Sequence, residues 1–216
     1  MYKAVIFDLD GTLMDTVESI ATAANLALQE CGLQPHPVHN YNYYAGDGAD
    51  TLLFRALADA GDVEGIHFER MQQIYHEYFK NTCTNAEPYD GICDMLDELQ
   101  KRDMKLAVLS NKPHERTLDV IHETFGASMF EMVLGQQEGL QKKPAPDGAF
   151  LICDKMNVLP EECIYVGDTN VDMITGKTAG MYTVGVLWGF RDREELEKTG
   201  AMKVIATPGE LVDLIQ

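Results

Sequence analysis

Basic residues are scarce in this chain. Its 216 residues include 17 lysines and arginines against 35 aspartates and glutamates, which gives a formal net charge of -18 at pH 7. Because such a surface repels nucleic acid and anionic lipid headgroups, we expect neither nucleic acid nor a membrane as a partner. The same charge repels phosphorylated molecules at long range, so a phosphate site would need local positive charge from a metal ion, a lysine or helix N-termini.

Long apolar runs are also missing. The longest mainly apolar stretch, Met181 to Phe190, is far too short to span a bilayer. At the N-terminus, Asp8 arrives too early for a secretory signal peptide. These features predict a cytoplasmic protein, and we expect it to be a monomer or a weak homodimer.

Cysteines with the spacing of a zinc site are absent as well. The chain has five cysteines, an odd and scattered set, and no C-x-x-C pattern. We therefore expect reduced, mostly structural thiols rather than disulfides or a zinc centre. The cysteines are Cys31, Cys83, Cys93, Cys153 and Cys163.

The sequence does contain an alternation of short apolar runs with helical patterns. The first run, Ala4 to Phe7, is continuous and ends at Asp8, which is typical of a buried parallel strand. The alternation predicts an α/β fold with a doubly wound parallel sheet. Further strands are predicted at 106–109, 132–134, 164–166, 183–187 and 204–206, and helices at 92–101, 115–124, 147–156, 171–178 and 194–198.

One segment interrupts the alternation. Between about Thr16 and Asn81 the hydrophobic pattern is helical and no run is convincing as a strand. We therefore predict an all-helical unit, residues 15–83, inserted into an α/β core of residues 1–14 and 84–216. An insertion beside the carboxyl end of a strand lies where open α/β sheets bind ligands, which suits a lid.

Two aspartates, Asp8 and Asp10, stand at the end of the first predicted strand and are followed by Gly11. One carboxylate could bind a hard divalent cation and attack phosphorus, while the other exchanges protons with the leaving and entering oxygens. Gly11 would let backbone N–H groups approach phosphate oxygens closely. Taken alone, however, this short motif fits a solvated acidic turn equally well.

Polar residues follow the other predicted strands too. Ser110 and Asn111 follow the second strand, Lys143 lies after the third, and Asp168 follows the fourth, with Asp172 four residues further on. Each of them alone is typical of a helix cap or a solvated charge. Together they bring acids, a hydroxyl group and a cation to four strand ends, which predicts a phosphoryl-transfer site at one edge of the sheet.

With these residues the chain resembles the haloacid dehalogenase superfamily of phosphohydrolases over essentially its whole length. The helical insertion resembles the helical cap of that family. The resemblance rests on four motifs in order: Asp8 to Thr16, Ser110 with Asn111 and Lys112, Lys143 in Lys-Pro-Ala-Pro, and Gly167 to Asp172. Shorter stretches resemble its phosphoglycolate phosphatase branch: residues 46–49, 55–57, 110–113, 188–191 and 194–196.

The resemblance implies a magnesium-dependent phosphatase that hydrolyses a small phosphate monoester, most specifically phosphoglycolate, through an aspartyl-phosphate. Asp8 would be the nucleophile, and Asp10 the general acid and base. Mg²⁺ would be bound by the carboxylates of Asp8 and Asp168 and the backbone carbonyl of Asp10.

The resemblance also implies roles around the phosphoryl group. Ser110 would donate to a phosphoryl oxygen, Lys143 would neutralise that oxygen and Asp8, and Asp172 would hold Lys143 or a metal-bound water. Arg55 is a candidate for a substrate carboxylate, although a structural arginine is an equal alternative. The residues implied to bind substrate are Gly11, Thr12, Ser110, Asn111, Gly46 and Arg55.

Four alternatives can be weighed from the sequence. The fold could serve a phosphatase of another small sugar or organic phosphate, or a phosphomutase of the β-phosphoglucomutase type. A signalling receiver domain also phosphorylates an aspartate on an α/β fold, but receivers are shorter and lack a helical insertion. An inactive binding module is disfavoured, because it would have no need to crowd Asp8, Asp10 and Asp168 together.

Overall fold

The computed structural model describes residues 1–82 and 86–215 and divides into two compact units. One unit is formed by residues 1–14 and the chain from Pro88 onward, and the other by residues 15–87. The predicted boundary between residues 83 and 84 lies outside the described residues, as does Cys83.

The larger unit is built on a six-stranded sheet in the order β5-β4-β1-β6-β7-β8. All neighbouring strands in this sheet run parallel. The remaining two strands, β2 and β3, pair with each other where the chain passes between the units. In chain order the strands are β1 (Ala4–Phe7), β2 (Met14–Asp15), β3 (Glu87–Pro88), β4 (Lys105–Pro113), β5 (Met132–Gln136), β6 (Cys163–Gly167), β7 (Tyr182–Val186) and β8 (Lys203–Ile205).

Helices alternate with the strands of the larger unit, as predicted, and α1 to α4 lie in the smaller one. Short 3₁₀ turns occur at Val38–Asn40 and Pro160–Glu162. No helix in the described ranges combines the length and the apolar character needed to cross a membrane. The helices are α1 (Val17–Glu30), α2 (Tyr41–Tyr44), α3 (Ala49–Asp59), α4 (Phe68–Thr82), α5 (Ile92–Lys101), α6 (His114–Phe125), α7 (Asp147–Met156), α8 (Asn170–Ala179), α9 (Arg193–Thr199) and α10 (Gly209–Leu214).

Strand β1 lies in the middle of the sheet, between β4 and β6. All four of its residues, Ala4–Phe7, are buried, because both edges of the strand are paired and both faces are covered. A strand in this position has to be apolar throughout, which explains its continuous apolar sequence. The chain therefore leaves β1 at the centre of the carboxyl edge of the sheet, where the strand order reverses and such sheets bind ligands.

Strand β4 extends beyond its predicted end. Its pairing with β5 shifts register between Leu109 and Pro113, and the strand resumes at Pro113. Ser110 and Asn111 therefore lie within an irregular part of the strand rather than after it. Such irregularities re-aim side chains at the edges of sheets and beside active sites.

The predicted fold class, an α/β fold with a doubly wound parallel sheet, is confirmed.

The smaller unit is helical from α1 to α4, and Ala24 and Ala27 of α1 are buried. In α4, Met71, Tyr75 and Phe79 are buried, and the rings of Tyr75 and Phe79 stack with their centroids 5.1 Å apart. These aromatic positions thus form the hydrophobic core of the unit, as their helical spacing indicates.

The cysteines of the described ranges are free thiols. Cys153 and Cys163 are buried with their sulfur atoms 3.6 Å apart, while Cys93 is exposed and Cys31 half-buried. A sulfur–sulfur distance of that size is a contact between thiols, since a disulfide bond is only about 2.05 Å long.

Candidate active site

The predicted site residues of the α/β unit gather at the carboxyl ends of β1, β4 and β6. Asp8 follows β1, Ser110 lies in the last part of β4, and Asp168 follows β6. These three strands are neighbours in the sheet. Side chains separated by more than a hundred positions in sequence therefore meet at one place.

Lys143 joins two of the acids. Its ammonium nitrogen lies 2.8 Å from Oδ1 of Asp8 and 2.7 Å from Oδ1 of Asp172. All three side chains are buried, with exposed side-chain fractions of 3% for Lys143, 8% for Asp8 and 0% for Asp172. A buried ammonium group is tolerable only when it is paired, so both carboxylates fix the position of Lys143.

The crowding of buried charges shifts the pKa values of the site. Burial and repulsion by Asp172 raise the pKa of Asp8 to about 7, although Lys143 opposes the rise. Burial, together with repulsion by Asp172 and Asp8, raises the pKa of Asp168 well above its usual range. Burial alone would lower the pKa of Lys143, but Asp172 and Asp8 hold it well above its usual value. The pocket carries more negative charge than a single lysine can balance.

Asp168 is held from both sides. The hydroxyl of Thr12 donates to its Oδ1 at 3.0 Å, and the backbone N–H of Phe190 donates to its Oδ2 at 2.8 Å. Trp188 supports this arrangement, because its ring Nε1–H donates to the carbonyl oxygen of Thr12 at 2.9 Å. The Thr12 side chain, predicted to contact substrate, is thus directed at Asp168 and positions that carboxylate.

Gly11 is required next to Asp168. It has a φ of +85°, and a Cβ atom at this position would collide with the carboxylate of Asp168. Any other residue would meet both the steric cost of the left-handed conformation and this collision. The glycine that sequence reasoning assigned to phosphate approach therefore also makes room for a carboxylate.

Asp172 uses both of its oxygens. Oδ1 accepts from Lys143, while Oδ2 accepts from the backbone N–H of Thr169 at 3.1 Å and from its hydroxyl at 2.6 Å. Asp172 also lies in the first turn of α8, where a negative charge is favourable. These contacts support the predicted role of Asp172 in holding Lys143.

A divalent metal ion fits the acids of the site. Ligand oxygens of Asp8, Asp168 and Asp172 lie within 4.8 Å of one another, and all three residues are buried. Carboxylate oxygens are the hard ligands that Mg²⁺ and similar ions prefer, and a cation would offset the repulsion that raises the pKa of Asp8. Asp8 and Asp172 already bond Lys143, and both oxygens of Asp168 accept hydrogen bonds, so an ion would share these carboxylates with their present partners.

The carboxylate of Asp10 stands apart from this group of acids. Its Oδ1 lies 2.6 Å from the ammonium nitrogen of Lys112, whose side chain is only 4% exposed. Asp10 itself keeps a side-chain exposure of 20%. That Asp10 would offer a metal its backbone carbonyl and keep its side chain for proton transfer stays a prediction.

Asn111 is joined to the loop that carries Lys143. Its side-chain amide donates to the carbonyl oxygen of Lys143 at 3.0 Å, and its Oδ1 accepts from the backbone N–H of Lys143 at 2.8 Å. These paired bonds indicate that Asn111 positions Lys143. Ser110 is buried next to it, and its Oγ accepts from the backbone N–H of Lys112 at 3.2 Å.

Gly46 and Arg55 belong to the helical unit. The guanidinium of Arg55 lies 2.6 Å from Oδ2 of Asp47 and donates to the carbonyl oxygen of Tyr44 at 3.0 Å. Gly46 and Gly48 both have positive φ, +114° and +90°. Of the two interpretations of Arg55, these contacts favour the structural one, in which it braces the glycine loop.

Sequence reasoning missed two residues of the site. Lys112 belongs to the second motif, but its function was not predicted from the sequence. A lysine at the end of a buried strand indicates an ion pair, because buried lysines are almost always paired. Thr169 was quoted only as part of the fourth motif. A threonine three residues before an acidic residue at a helix start resembles a capping box, which could have predicted its bond to Asp172.

Comparison with known proteins agrees with this geometry. The family model described as haloacid dehalogenase-like hydrolase matches residues 5–186. A phosphoglycolate phosphatase of Aquifex aeolicus is 32% identical over 188 residues, which cover 87% of this chain and 86% of the relative. Another, of Nitrosospira multiformis, is 28% identical over 219 residues, covering 99% of this chain and 96% of the relative.

Solved structures give the same result. A crystal structure of a predicted phosphoglycolate phosphatase from Lactobacillus delbrueckii subsp. bulgaricus superposes with a TM-score of 0.93 at 30% identity. The alignment covers 99% of this chain and 98% of that one. The chain belongs to the haloacid dehalogenase-like hydrolase family. It is a phosphatase of that family, which confirms the predicted enzyme class and sets aside the receiver domain and the inactive module.

Proposed function

We propose that this phosphatase hydrolyses 2-phosphoglycolate in the cytoplasm, with Mg²⁺ and through an aspartyl-phosphate on Asp8. The observation that carries the mechanism is the environment of Asp8. This carboxylate lies at the centre of the carboxyl edge of the sheet. The ammonium nitrogen of Lys143 is 2.8 Å from it, and Asp168 lies close enough to bind a metal ion together with it. An in-line displacement needs a nucleophile beside positive charge that stabilises the phosphoryl oxygens.

In the first half of the reaction, an oxygen of Asp8 attacks phosphorus as the ester bond breaks. Lys143 neutralises charge on the phosphoryl oxygens, and Asp172 and Asn111 keep Lys143 in place. The hydroxyl of Ser110 donates a hydrogen bond to a phosphoryl oxygen. Bound Mg²⁺ supplies electrostatic stabilisation of the phosphoryl group and would be held by the carboxylates of Asp8 and Asp168 and the carbonyl of Asp10.

Asp10 moves the protons. It donates one to the leaving oxygen in the first half of the reaction and removes one from the attacking water in the second. Both tasks suit a carboxylate that keeps some access to solvent, as the 20% exposure of Asp10 allows. The product of the second half is inorganic phosphate, with Asp8 restored.

The substrate is proposed from the relatives. Curated proteins that match over most of the chain include several phosphoglycolate phosphatases. The helical unit, residues 15–87, is proposed to act as a cap that excludes water during phosphorylation of Asp8. We propose a small phosphorylated metabolite as a partner, no nucleic acid or membrane, and a monomer or weak homodimer as the working form.

A phosphate-release screen tests this function. Purified protein would be assayed with Mg²⁺ against 2-phosphoglycolate, sugar phosphates and nucleotides, with Asp8→Asn as the inactive control. We expect 2-phosphoglycolate to give the highest kcat/KM and Asp8→Asn to lower turnover at least about 10³-fold, because the covalent intermediate cannot form. Full activity of Asp8→Asn would refute the mechanism, whereas a low rank of 2-phosphoglycolate would refute only the substrate.

A coupled assay for glucose phosphate interconversion separates the phosphomutase alternative. A mutase returns the phosphoryl group to a sugar, whereas this site is proposed to pass it to water. We expect phosphate release without interconversion. Net interconversion of the two glucose phosphates would assign the protein to the mutases.

A further inference from the structure

We propose that Lys112 is a positioning residue for the general acid and base: it holds one oxygen of Asp10 and thereby directs the other oxygen to the reacting oxygen atoms. The inference rests on the proposed role of Asp10 in an aspartyl-phosphate mechanism. It gives a defined task to a buried lysine that the mechanism above does not use.

Lys112 and Asp10 form a partly buried ion pair. The Lys112 ammonium lies 2.6 Å from Asp10 Oδ1, and the lysine side chain is 4% exposed. An ion pair between exposed side chains samples many geometries and restrains little. A buried ammonium must keep its partner, because leaving the charge without one is costly. The pair is therefore a durable restraint on Asp10.

The backbone of Lys112 is fixed as well. Its N–H donates to Ser110 Oγ at 3.2 Å, and its carbonyl oxygen accepts from the hydroxyl of Thr117 at 3.2 Å. Gly135 packs so closely that a Cβ there would overlap this carbonyl oxygen. With its backbone held and its ammonium group paired, Lys112 forms a rigid connection from β4 to the chain after β1.

The ion pair with Lys112 engages only one of the two carboxylate oxygens of Asp10 among the described residues. Within the described ranges, Oδ1 takes the bond from Lys112, and no hydrogen bond or ion pair is found at Oδ2. Proton transfer requires a heavy-atom distance of about 2.6–3.2 Å to the reacting oxygen. Fixing Oδ1 limits the rotation of the carboxylate and so raises the fraction of time that Oδ2 is available at that distance.

The chemistry balances in both halves of the reaction. In the first, the ester P–O bond breaks, a bond forms between phosphorus and an oxygen of Asp8, and the proton on Asp10 Oδ2 passes to the leaving oxygen. In the second, water bonds to phosphorus, the bond to Asp8 breaks, and one proton of that water passes to Asp10 Oδ2. Lys112 keeps all its protons throughout.

The two buried lysines of the site are thereby separated in function. Lys143 contacts Asp8 and Asp172, whereas Lys112 contacts Asp10. The competing explanation for Lys112 is direct contact with an anionic group of the substrate. That explanation predicts a change in KM, while positioning of Asp10 predicts a change in kcat.

The test compares Lys112→Met, Lys112→Arg and a matched control, Lys3→Met. Lys3 also lies 2.6 Å from a carboxylate, Glu162, but its side chain is 58% exposed and remote from the site. With the best alkyl phosphate substrate, we expect Lys112→Met to lower kcat by about 10- to 100-fold and to change KM less than about threefold. Lys112→Arg should recover part of this loss, and Lys3→Met should match the wild type.

A second readout uses p-nitrophenyl phosphate, whose leaving group departs without a proton. Phosphorylation of Asp8 should then stay fast in Lys112→Met, while hydrolysis of the aspartyl-phosphate, which still needs Asp10 as a base, becomes slow. Rapid mixing should show a burst approaching one nitrophenolate per active site, and acid quenching should trap phosphorylated protein. A general loss of structure would slow both halves and give no burst.

Three results would overturn the inference: a kcat of Lys112→Met within twofold of wild type, a raised KM with unchanged kcat, or equal slowing of both halves without a burst. If Lys112→Met did not fold, the burst of Lys112→Arg would decide by the same criteria. The wild-type substrate ranking judges the proposed function separately, because the Lys112 effect is a ratio measured on whichever alkyl phosphate is hydrolysed.

Discussion

Asp8 shares a buried pocket with two other carboxylates, Asp168 and Asp172, and one ammonium group, that of Lys143. Burial and repulsion by Asp172 raise its pKa to about 7. A group that is harder to ionise in the folded protein than in the unfolded chain costs stability once it is ionised. The nucleophile is therefore expected to oppose folding when no cation is bound.

Asp8→Asn should make the metal-free protein more stable at pH 8. The substitution keeps the shape of the side chain and removes one of the crowded charges, so we expect a gain of about 1–3 kcal/mol in the free energy of unfolding. Urea unfolding with excess EDTA measures it. Asp97→Asn, on the exposed face of α5, removes the same charge from the surface and should change the free energy by less than about 0.5 kcal/mol.

The stabilising effect of Asp8→Asn should depend on pH. Because the folded pKa of Asp8, about 7, is raised above its ordinary value of 3.8, the folded state binds the extra proton. Below about pH 4, Asp8 is protonated in both the folded and the unfolded state and costs no stability. As the pH rises from about 4 to about 7, the unfolded chain loses this proton first, so the folded state loses stability relative to it. We expect the advantage of the Asn variant in EDTA to vanish near pH 4 and to level off above pH 7. An advantage independent of pH would contradict the assignment.

Gly11 should tolerate no side chain. Gly11→Ala meets both a positive φ and a collision with Asp168, so we expect a loss of at least about 3 kcal/mol in stability, or displacement of Asp168 with loss of activity. Gly180→Ala is the matched control, with a φ of +80° and nothing within 4 Å of the added Cβ. It should cost only about 1 kcal/mol. Equal effects would mean that backbone strain, not Asp168, governs position 11.

At the scale of elements, the start of α8 joins a structural and a chemical task. The backbone N–H and hydroxyl of Thr169 both donate to Asp172, which in turn holds Lys143. The end of β6 and the beginning of α8 thus form one rigid turn that carries two acids of the site. A helix cap here determines where the catalytic lysine stands.

Thr169→Val should test that connection. Valine keeps the branched shape but loses the hydroxyl donor, so we expect a loss of about 1–2 kcal/mol in stability and of about tenfold in kcat/KM. Thr175→Val is the control: it lies in the same helix, is also buried, and its hydroxyl donates to the carbonyl oxygen of Val171. That variant should retain kcat/KM. A similar loss of activity in both would indicate that the helix as a whole, rather than Asp172, is affected.

At the scale of the whole molecule, the formal charge of -18 makes an anionic substrate unfavourable at a distance. Two buried lysines, Lys112 and Lys143, supply local positive charge among the acids. A divalent cation would add to it. Binding of such an ion should therefore stabilise the folded protein as well as activate it.

Mg²⁺ should raise the Tm of the wild type. At about 100 times its Kd, a ligand specific for the folded state adds about 2.7 kcal/mol, which corresponds to a rise of about 5–10 °C for a chain of this size. Differential scanning fluorimetry with and without EDTA measures the rise. Asp168→Asn should lose most of it, whereas Asp97→Asn should keep it. A full shift in Asp168→Asn would place the ion elsewhere.

The fold class, and the gathering of the predicted residues of the α/β unit at one edge of the sheet, could be predicted from the sequence. The continuous apolar run before Asp8 predicted a buried parallel strand, and the residues after the successive strands were expected to meet because parallel strands share a carboxyl edge. Helical periodicity likewise predicted an all-helical unit of residues 15–83. These features follow from local patterns that survive without any knowledge of contacts.

The hydrogen-bonded and ion-paired partners of the site residues follow only from the three-dimensional packing. The register shift in β4 brings Lys112 to Asp10, and the approach of Trp188 and Phe190 fixes Thr12 and Asp168. The pairs Lys112–Asp10, Thr12–Asp168 and Trp188–Thr12 join residues 102, 156 and 176 positions apart. Phe190 and Asp168 are 22 positions apart, which is also beyond any local pattern. Hydrogen bonds and buried charges depend on distances of a few tenths of an ångström, and the packed sheet and its loops set those distances.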